Sequence, residues 1–216
     1  INMISQKMYE LGSKRSVIRE IFEFGKKRAV EIGAENVYDF SIGNPNVPAP
    51  EAVKKAIIEI LDTEDPVSIH GYTSAQGDPV VRDTIAKSIN KRFGTAFNGD
   101  NLYMTVGAAA SIHICFSALT NPGDEFITFA PYFPEYRCFV EAAGAKLVEV
   151  PAQIENFQIN FDELEKRINE HTKAVIVDSP NNPSGVVYTE DTIKKLAEML
   201  KNKSKEYEHT IYLISD

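Results

Sequence analysis

Apolar residues recur at helical spacing through the first third of the chain. Val17, Ile18, Ile21, Phe22, Ala29 and Val30 fall on one stripe of a helix over residues 13–32, which Gly33 stops. Residues 37–42 read as a short strand, broken by Gly43-Asn44-Pro45-Asn46. Pro50 opens a second helix carrying Val53, Ile57, Ile60 and Leu61. Asp78 and Pro79 supply an N-cap and a first-turn proline for a third, with Val81, Ile85 and Ile89 inward and Gly94 at its end.

From Leu102 the pattern changes to strand, helix, strand, helix. Strands are predicted over 102–106, 125–130, 146–150, 173–177 and 210–215, with helices over 108–119, 134–143, 161–169 and 189–202. Such alternation predicts an α/β fold, a mostly parallel sheet flanked by helices. Neither an internal repeat nor a low-complexity linker divides the chain. One boundary is placed, with residues 1–48 as an arm and small-domain segment and 49–216 as the larger sheet domain. The alternation ends on a strand with no following helix, so the expectation is a domain incomplete at its C-terminal end.

Composition narrows the setting. A net charge of −8 and a pI near 5.1 argue against nucleic acid or an anionic membrane as partner. No apolar run approaches the roughly 20 residues needed to span a bilayer, and no cationic segment leads into an apolar core near the N-terminus. A soluble, cytoplasmic protein is expected. Cys115 and Cys138 lie in apolar helical stretches and are expected as buried thiols, not a disulfide. His70, His113, His171 and His209 are too far apart for a local metal motif.

The richest stretch chemically is Asp178-Ser-Pro-Asn-Asn-Pro-Ser-Gly185, which follows the β-branched run Ala174–Val177. Its prolines and glycine fix an irregular turn at a strand end, where open α/β sheets bind ligands. The paired asparagines offer amide donors and acceptors without charge, although a surface loop of turn formers reads the same way. Thr105-Val-Gly107-Ala108-Ala109 runs from a strand into a helix through a glycine. That arrangement is either an anion seat on free N–H groups or a plain turn. In Pro131-Tyr132-Phe133 an aromatic ring is placed to stack on a flat ligand or to fill the core. Asp216 closes Ile211-Tyr-Leu-Ile214, a central-strand pattern. A carboxylate buried there needs a partner, unless it serves as a helix N-cap.

These segments occur in one order along the chain: Ser41-Ile-Gly-Asn-Pro45, Gly71-Tyr-Thr-Ser-Ala-Gln-Gly77, Thr105–Ala110, Pro131–Tyr136, the Asn181-Asn182-Pro183 turn and Tyr212–Asp216. Together they resemble the class I/II aminotransferases, fold-type I enzymes that use pyridoxal phosphate (PLP), from about residue 13 to the last residue. The resemblance implies a PLP-dependent aminotransferase that moves an amino group between an amino acid and a 2-oxo acid, working as a homodimer. It implies that Gly107, Ala108 and Ala109 cradle the PLP phosphate, with alanines where many relatives have a hydroxyl. It also implies that Phe133 stacks on the ring, that Asn182 bonds its phenolic oxygen and the substrate carboxylate, and that Asp216 faces the pyridine nitrogen. Tyr72 would reach the neighbouring subunit's phosphate, and Gly43 would approach the substrate carboxylate. The Schiff-base lysine and a carboxylate-binding arginine are expected beyond Asp216. Asp178 stands where a neutral residue is expected, with no role to give it. Two other readings share these motifs: a PLP-dependent C–S β-lyase, and a non-catalytic ligand-sensing domain.

Overall fold

A computed structural model of the chain describes residues 3–13, 17–43 and 47–216. It forms two compact units, Ile1–Thr73 and Ser74–Asp216. The first unit is helical: α1 (Gln6–Ser13), α2 (Val17–Ile32), a 3-10 turn (Ala34–Asn36), α3 (Glu51–Thr63) and α4 (Pro66–His70). The single helix predicted over 13–32 is thus α2, with Ser13 ending a separate α1 and residues 14–16 outside the described ones. Among the described residues, 37–42 form no strand. They are extended or bent but have no ladder partner, and Tyr38 and Phe40 stand exposed. The short α4 escaped the apolar pattern because its start is set by a cap. Asp65 accepts the Ser68 N–H at 2.9 Å, and Pro66 follows it.

The second unit opens with α5 (Pro79–Phe93), capped as its sequence predicts. Asp78 accepts the Val81 N–H at 3.0 Å, and Gly94 ends the helix in the left-handed region at φ 66°. Residues 102–106 form no strand. The segment is extended, with no neighbour to complete a ladder among the described residues, so Tyr103, Met104 and Val106 are exposed. Then come α6 (Ala108–Leu119), β1 (Glu125–Phe129), α7 (Glu135–Ala142), β2 (Lys146–Val150), α8 (Phe161–Glu165), β3 (Thr172–Val177), α9 (Glu190–Glu206) and β4 (Tyr212–Ser215).

The four strands are parallel and ordered β2-β1-β3-β4. Parallel pairing needs a crossover between strands, and the helices supply it. They cover both faces, so β1 and β3 read as near-continuous apolar runs. On one face Ile127, Val175 and Val177 pack on Leu164 of α8 and on Leu196 and Leu200 of α9. On the other, Phe126, Ala174 and Ile176 meet Ile112 and Phe116 of α6 with Tyr136 and Val140 of α7. Burying each valine, leucine, isoleucine or phenylalanine among them is worth about 1.5–3 kcal/mol. No helix among the described residues is long and apolar enough to cross a membrane.

Two expectations need correction. β4 is an edge strand here, with β3 as its one neighbour among the described residues, so Tyr212, Leu213 and Asp216 are exposed and not buried. Cys115 and Cys138 are free thiols as expected, but both are exposed. α6 is apolar nearly all round, and only its Ile112–Phe116 side is covered within this unit, which leaves Ile114 and Cys115 in the open.

Gly77 fixes the start of the second unit. It adopts φ 95°, and a Cβ built on it would lie 2.3 Å from Met104 Cγ. Its carbonyl accepts from Ser74 Oγ at 2.5 Å and Arg82 Nε at 3.2 Å, while the Met104 N–H bonds Gln76 O at 2.9 Å. Gly77→Ala combines backbone strain with displacement of Met104 and should cost about 1–3 kcal/mol, read as a lowered urea midpoint with an unchanged m-value.

Candidate functional site

The chain leaves β1 towards β2 on one side, returns past β1 to β3, and continues to β4 on the other side. The reversal lies between β1 and β3, so the crevice beyond their C-terminal ends is where this architecture binds ligands. The loops after β1 (131–134) and β3 (178–185) emerge there, and Asp216 follows β4 at the same edge.

After β3 the turn is built from the inside. Asn181 is buried, its N–H bonds Val186 O at 2.8 Å, and its carbonyl accepts the Gly185 N–H at 2.7 Å. Its side-chain oxygen takes Ser184 N–H at 3.1 Å and Ser184 Oγ at 2.6 Å. Asn181 is the turn former. Asn182, held through its own N–H by Asp178 Oδ2 at 2.8 Å, is exposed and carries its amide on the outside of the turn. Asp178, for which the motifs offered no use, therefore caps this turn by accepting a backbone N–H four residues on. Burial holds its carboxyl above the ordinary 3.8 and the negative charge of Asp216 adds to that, against the opposing pull of the Asn182 N–H. Tyr188, buried against Phe129, is pushed up to about 12 by burial and by Asp178.

After β1, Phe133 is half-buried and meets Tyr136 edge-on at 5.5 Å between ring centroids. Tyr132 lies parallel to Tyr136 at 6.4 Å, and its hydroxyl donates to Glu149 Oε1 at 2.5 Å. Arg137 pairs with the same Glu149 oxygen. These bonds, that from Tyr132 first, hold the Glu149 carboxyl below its usual value. Tyr136 is fully buried, and its hydroxyl donates to Asp216 Oδ2 at 2.5 Å. Its acidity is driven far down by burial first, then by that carboxylate. The sequence pointed to neither the Tyr136 bond nor the Asp178 cap, because both depend on contacts that only the fold creates.

The third wall is the start of α6. This helix leads by a short turn into the first residue of β1, so it runs back along the sheet with its N-terminus towards the strands' C-terminal edge. Twelve residues at about 1.5 Å each roughly match a five-residue strand, which brings that end level with the loops. Gly107 caps it at φ 96° with no side-chain cap, and a Cβ there would meet nothing within 4 Å. No acidic residue sits in the first turn. The Ala108, Ala109 and Ala110 N–H groups precede the first helical bond, from Ser111 N–H to Gly107 O. Thr105 Oγ1 and Ser111 Oγ, 2.5 Å apart, stand beside them. This donor set suits a phosphate.

Two predicted residues belong to the first unit. Gly43 is described, with open space where a Cβ would be, while Asn44, Pro45 and Asn46 of its motif lie outside the described residues. Tyr72 follows α4 with its ring fully exposed.

The chain matches the aminotransferase class I and II family over residues 35–215. It belongs to that family. A probable aspartate/prephenate aminotransferase of Thermus aquaticus is 34% identical over 192 residues, which cover 88% of this chain and 48% of that protein. The aspartate aminotransferase of Thermotoga maritima is 30% identical over 215 residues, 99% of this chain and 53% of that protein. Among solved structures, an amino transferase from Eubacterium rectale superposes with a TM-score of 0.96 at 62% identity, covering 99% of this chain and 54% of that one. The chain spans about half the length of the curated relatives it matches. The parallel α/β architecture expected from the sequence is the one this family shares, and the family is PLP-dependent.

Asp178 gives a pH test. A carboxyl held above 3.8 in the folded chain binds its proton more tightly there than in the unfolded chain. Its contribution to stability is therefore full below 3.8 and is lost as pH rises through the folded value. Asp178→Asn keeps an acceptor for the Asn182 N–H and cannot ionise. It should be more stable than the parent at pH 7, by up to about 1 kcal/mol at this half-exposed site. That difference should shrink to nothing as pH falls to 3, and paired urea melts read it.

Proposed function

We propose that the protein is a PLP-dependent aminotransferase of the cytoplasm, acting as a homodimer on an amino acid and a 2-oxo acid. The observation that carries this is the shared placement, at the C-terminal edge of one parallel sheet, of an uncapped helix start, an aromatic loop, an open asparagine amide and a carboxylate. The donor set fits the cofactor. Backbone N–H groups of Gly107, Ala108 and Ala109 would hold its phosphate, Phe133 would stack on its ring, and Asn182 would bond its phenolic oxygen. Asp216 would hold a proton on the ring nitrogen, and the substrate carboxylate would fall to Asn182 and to the backbone at Gly43. When bound, PLP supplies an electron sink for the α-carbon of the amino acid. The same reading divides the chain into an arm and small-domain segment, 1–48, and a PLP-binding large domain, 49–216. L-Aspartate is the first donor to test, since several curated relatives are named for it.

Asp216→Asn separates this role from a structural one. Asparagine keeps the shape and caps a helix about as well as aspartate, but it lacks the charge. In the PLP-loaded protein the variant should retain cofactor yet lose about 3–4 kcal/mol of transition-state stabilisation, a hundredfold or more in rate. Single-turnover conversion of L-aspartate to its 2-oxo acid measures this, and a near-parental rate would reduce Asp216 to a cap. With a β-thioether amino acid in place of L-aspartate, release of thiol, ammonia and pyruvate without an acceptor acid would instead mark C–S β-elimination.

Tyr72→Phe tests the shared site. Losing one charge-assisted bond to phosphate should weaken PLP retention by about 1.5–3 kcal/mol while the dimer persists. Equal PLP affinity of monomer and dimer in sedimentation-matched titrations would remove the shared-site reading.

A further inference from the structure

Tyr136 joins two features that the proposed function treats separately. Its hydroxyl reaches Asp216 at 2.5 Å across 80 positions of sequence, and its ring contacts Phe133 at 5.5 Å and 83°. On its other side it lies parallel to Tyr132, whose hydroxyl is fixed on Glu149. One fully buried side chain therefore connects the loop after β1 with the end of β4.

The physical demand runs both ways. An exposed aspartate at a strand end turns freely about its side-chain torsions and loses entropy on binding anything. A tyrosine hydroxyl with no water needs an acceptor, and leaving it unpaired costs about 1–3 kcal/mol. Donation to Oδ2 satisfies the hydroxyl and restrains the carboxylate at that oxygen, while Oδ1 keeps no donor among the described residues. The edge-on contact with Phe133 sets that ring against the same reference. Asp178 also faces this cluster, and Tyr136 senses its charge as well as that of Asp216.

We propose that Tyr136 is a positioning residue that holds the Asp216 carboxylate and the Phe133 ring in one fixed arrangement, so that the two groups assigned to the pyridine ring are set together. This rests on the proposed PLP site. It also requires more of Tyr136 than satisfying a buried hydroxyl, because a hydroxyl merely satisfied would leave the cofactor's electronic state unmoved.

The test uses the PLP-loaded protein with cofactor labelled by 15N in the ring, in the parent, Tyr136→Phe, Asp216→Asn and Tyr207→Phe. The last is a distant control whose hydroxyl bonds Ile168 O. In Asp216→Asn the ring-nitrogen signal should leave its protonated position. In Tyr136→Phe it should move part of the way, and the PLP dissociation constant should rise about tenfold, equivalent to about 1.4 kcal/mol. Tyr207→Phe should change neither. An unmoved signal in Asp216→Asn overturns the PLP reading of that residue and this inference with it. A moved signal there, with parental signal and affinity in Tyr136→Phe, overturns this inference alone. Should Tyr136→Phe not fold, 3-fluorotyrosine placed at position 136 keeps the shape and strengthens the donor. A parental signal and affinity in that protein count equally against the proposal.

Discussion

The parallel ladder between β1 and β3 is the interaction on which the rest of the site depends. It pairs Phe126 with Ala174 and Ile127 with Val175, and it places side by side two strands whose connections leave in opposite directions. At that reversal the connections leave to opposite sides, which is where open sheets of this kind bind ligands. Both strands are apolar on both faces, so a slip by one residue would exchange the side chains facing α6 and α7 with those facing α8 and α9. The register that buries the core also lines up the loops after β1 and β3. Core packing and loop placement constrain the same residues.

With that frame fixed, short polar contacts set the loops. Asn181 closes the turn after β3 by four hydrogen bonds, and Asp178 holds the next residue through its N–H. The loop after β1 is fixed from outside, through Tyr132 to Glu149 and Arg137 on the neighbouring strand and helix. Exposed ion pairs of this kind are worth little in stability. Their effect is to limit the orientations open to the half-buried Phe133 between them.

Much of this was legible in the sequence where local chemistry decides the outcome. Asp78-Pro79 and Gly94 bound α5, Thr189 caps α9, and the boundaries of α6 match the apolar run from Ala108 to Leu119. Legibility failed where a distant partner decides. Residues 37–42 and 102–106 have strand composition, but composition provides no partner strand, and neither segment forms a ladder among the described residues. The same limit hid the edge position of β4 and the exposure of Cys115 and Cys138. An apolar residue at helical spacing shows that a face can be buried, not that something covers it. The Tyr136–Asp216 bond is the extreme case, since nothing local signals a contact across 80 residues.

The charges at the strand ends make sense once these contacts are taken together. Among the described residues no lysine or arginine pairs with Asp178 or Asp216. Instead a tyrosine hydroxyl and a backbone N–H serve them, donors that stabilise a carboxylate without cancelling its charge. The start of α6 has the opposite character, with free N–H groups and no acidic residue in its first turn. The crevice is thus negative at the ends of β3 and β4 and partially positive at the helix. A ligand with a basic ring nitrogen at one end and a phosphate at the other would meet a matching charge at each. A uniformly anionic or uniformly cationic ligand would be repelled by one wall. Replacing the tyrosine donor by an arginine would quench the negative charge by an ion pair, whereas the neutral donors present leave it in place.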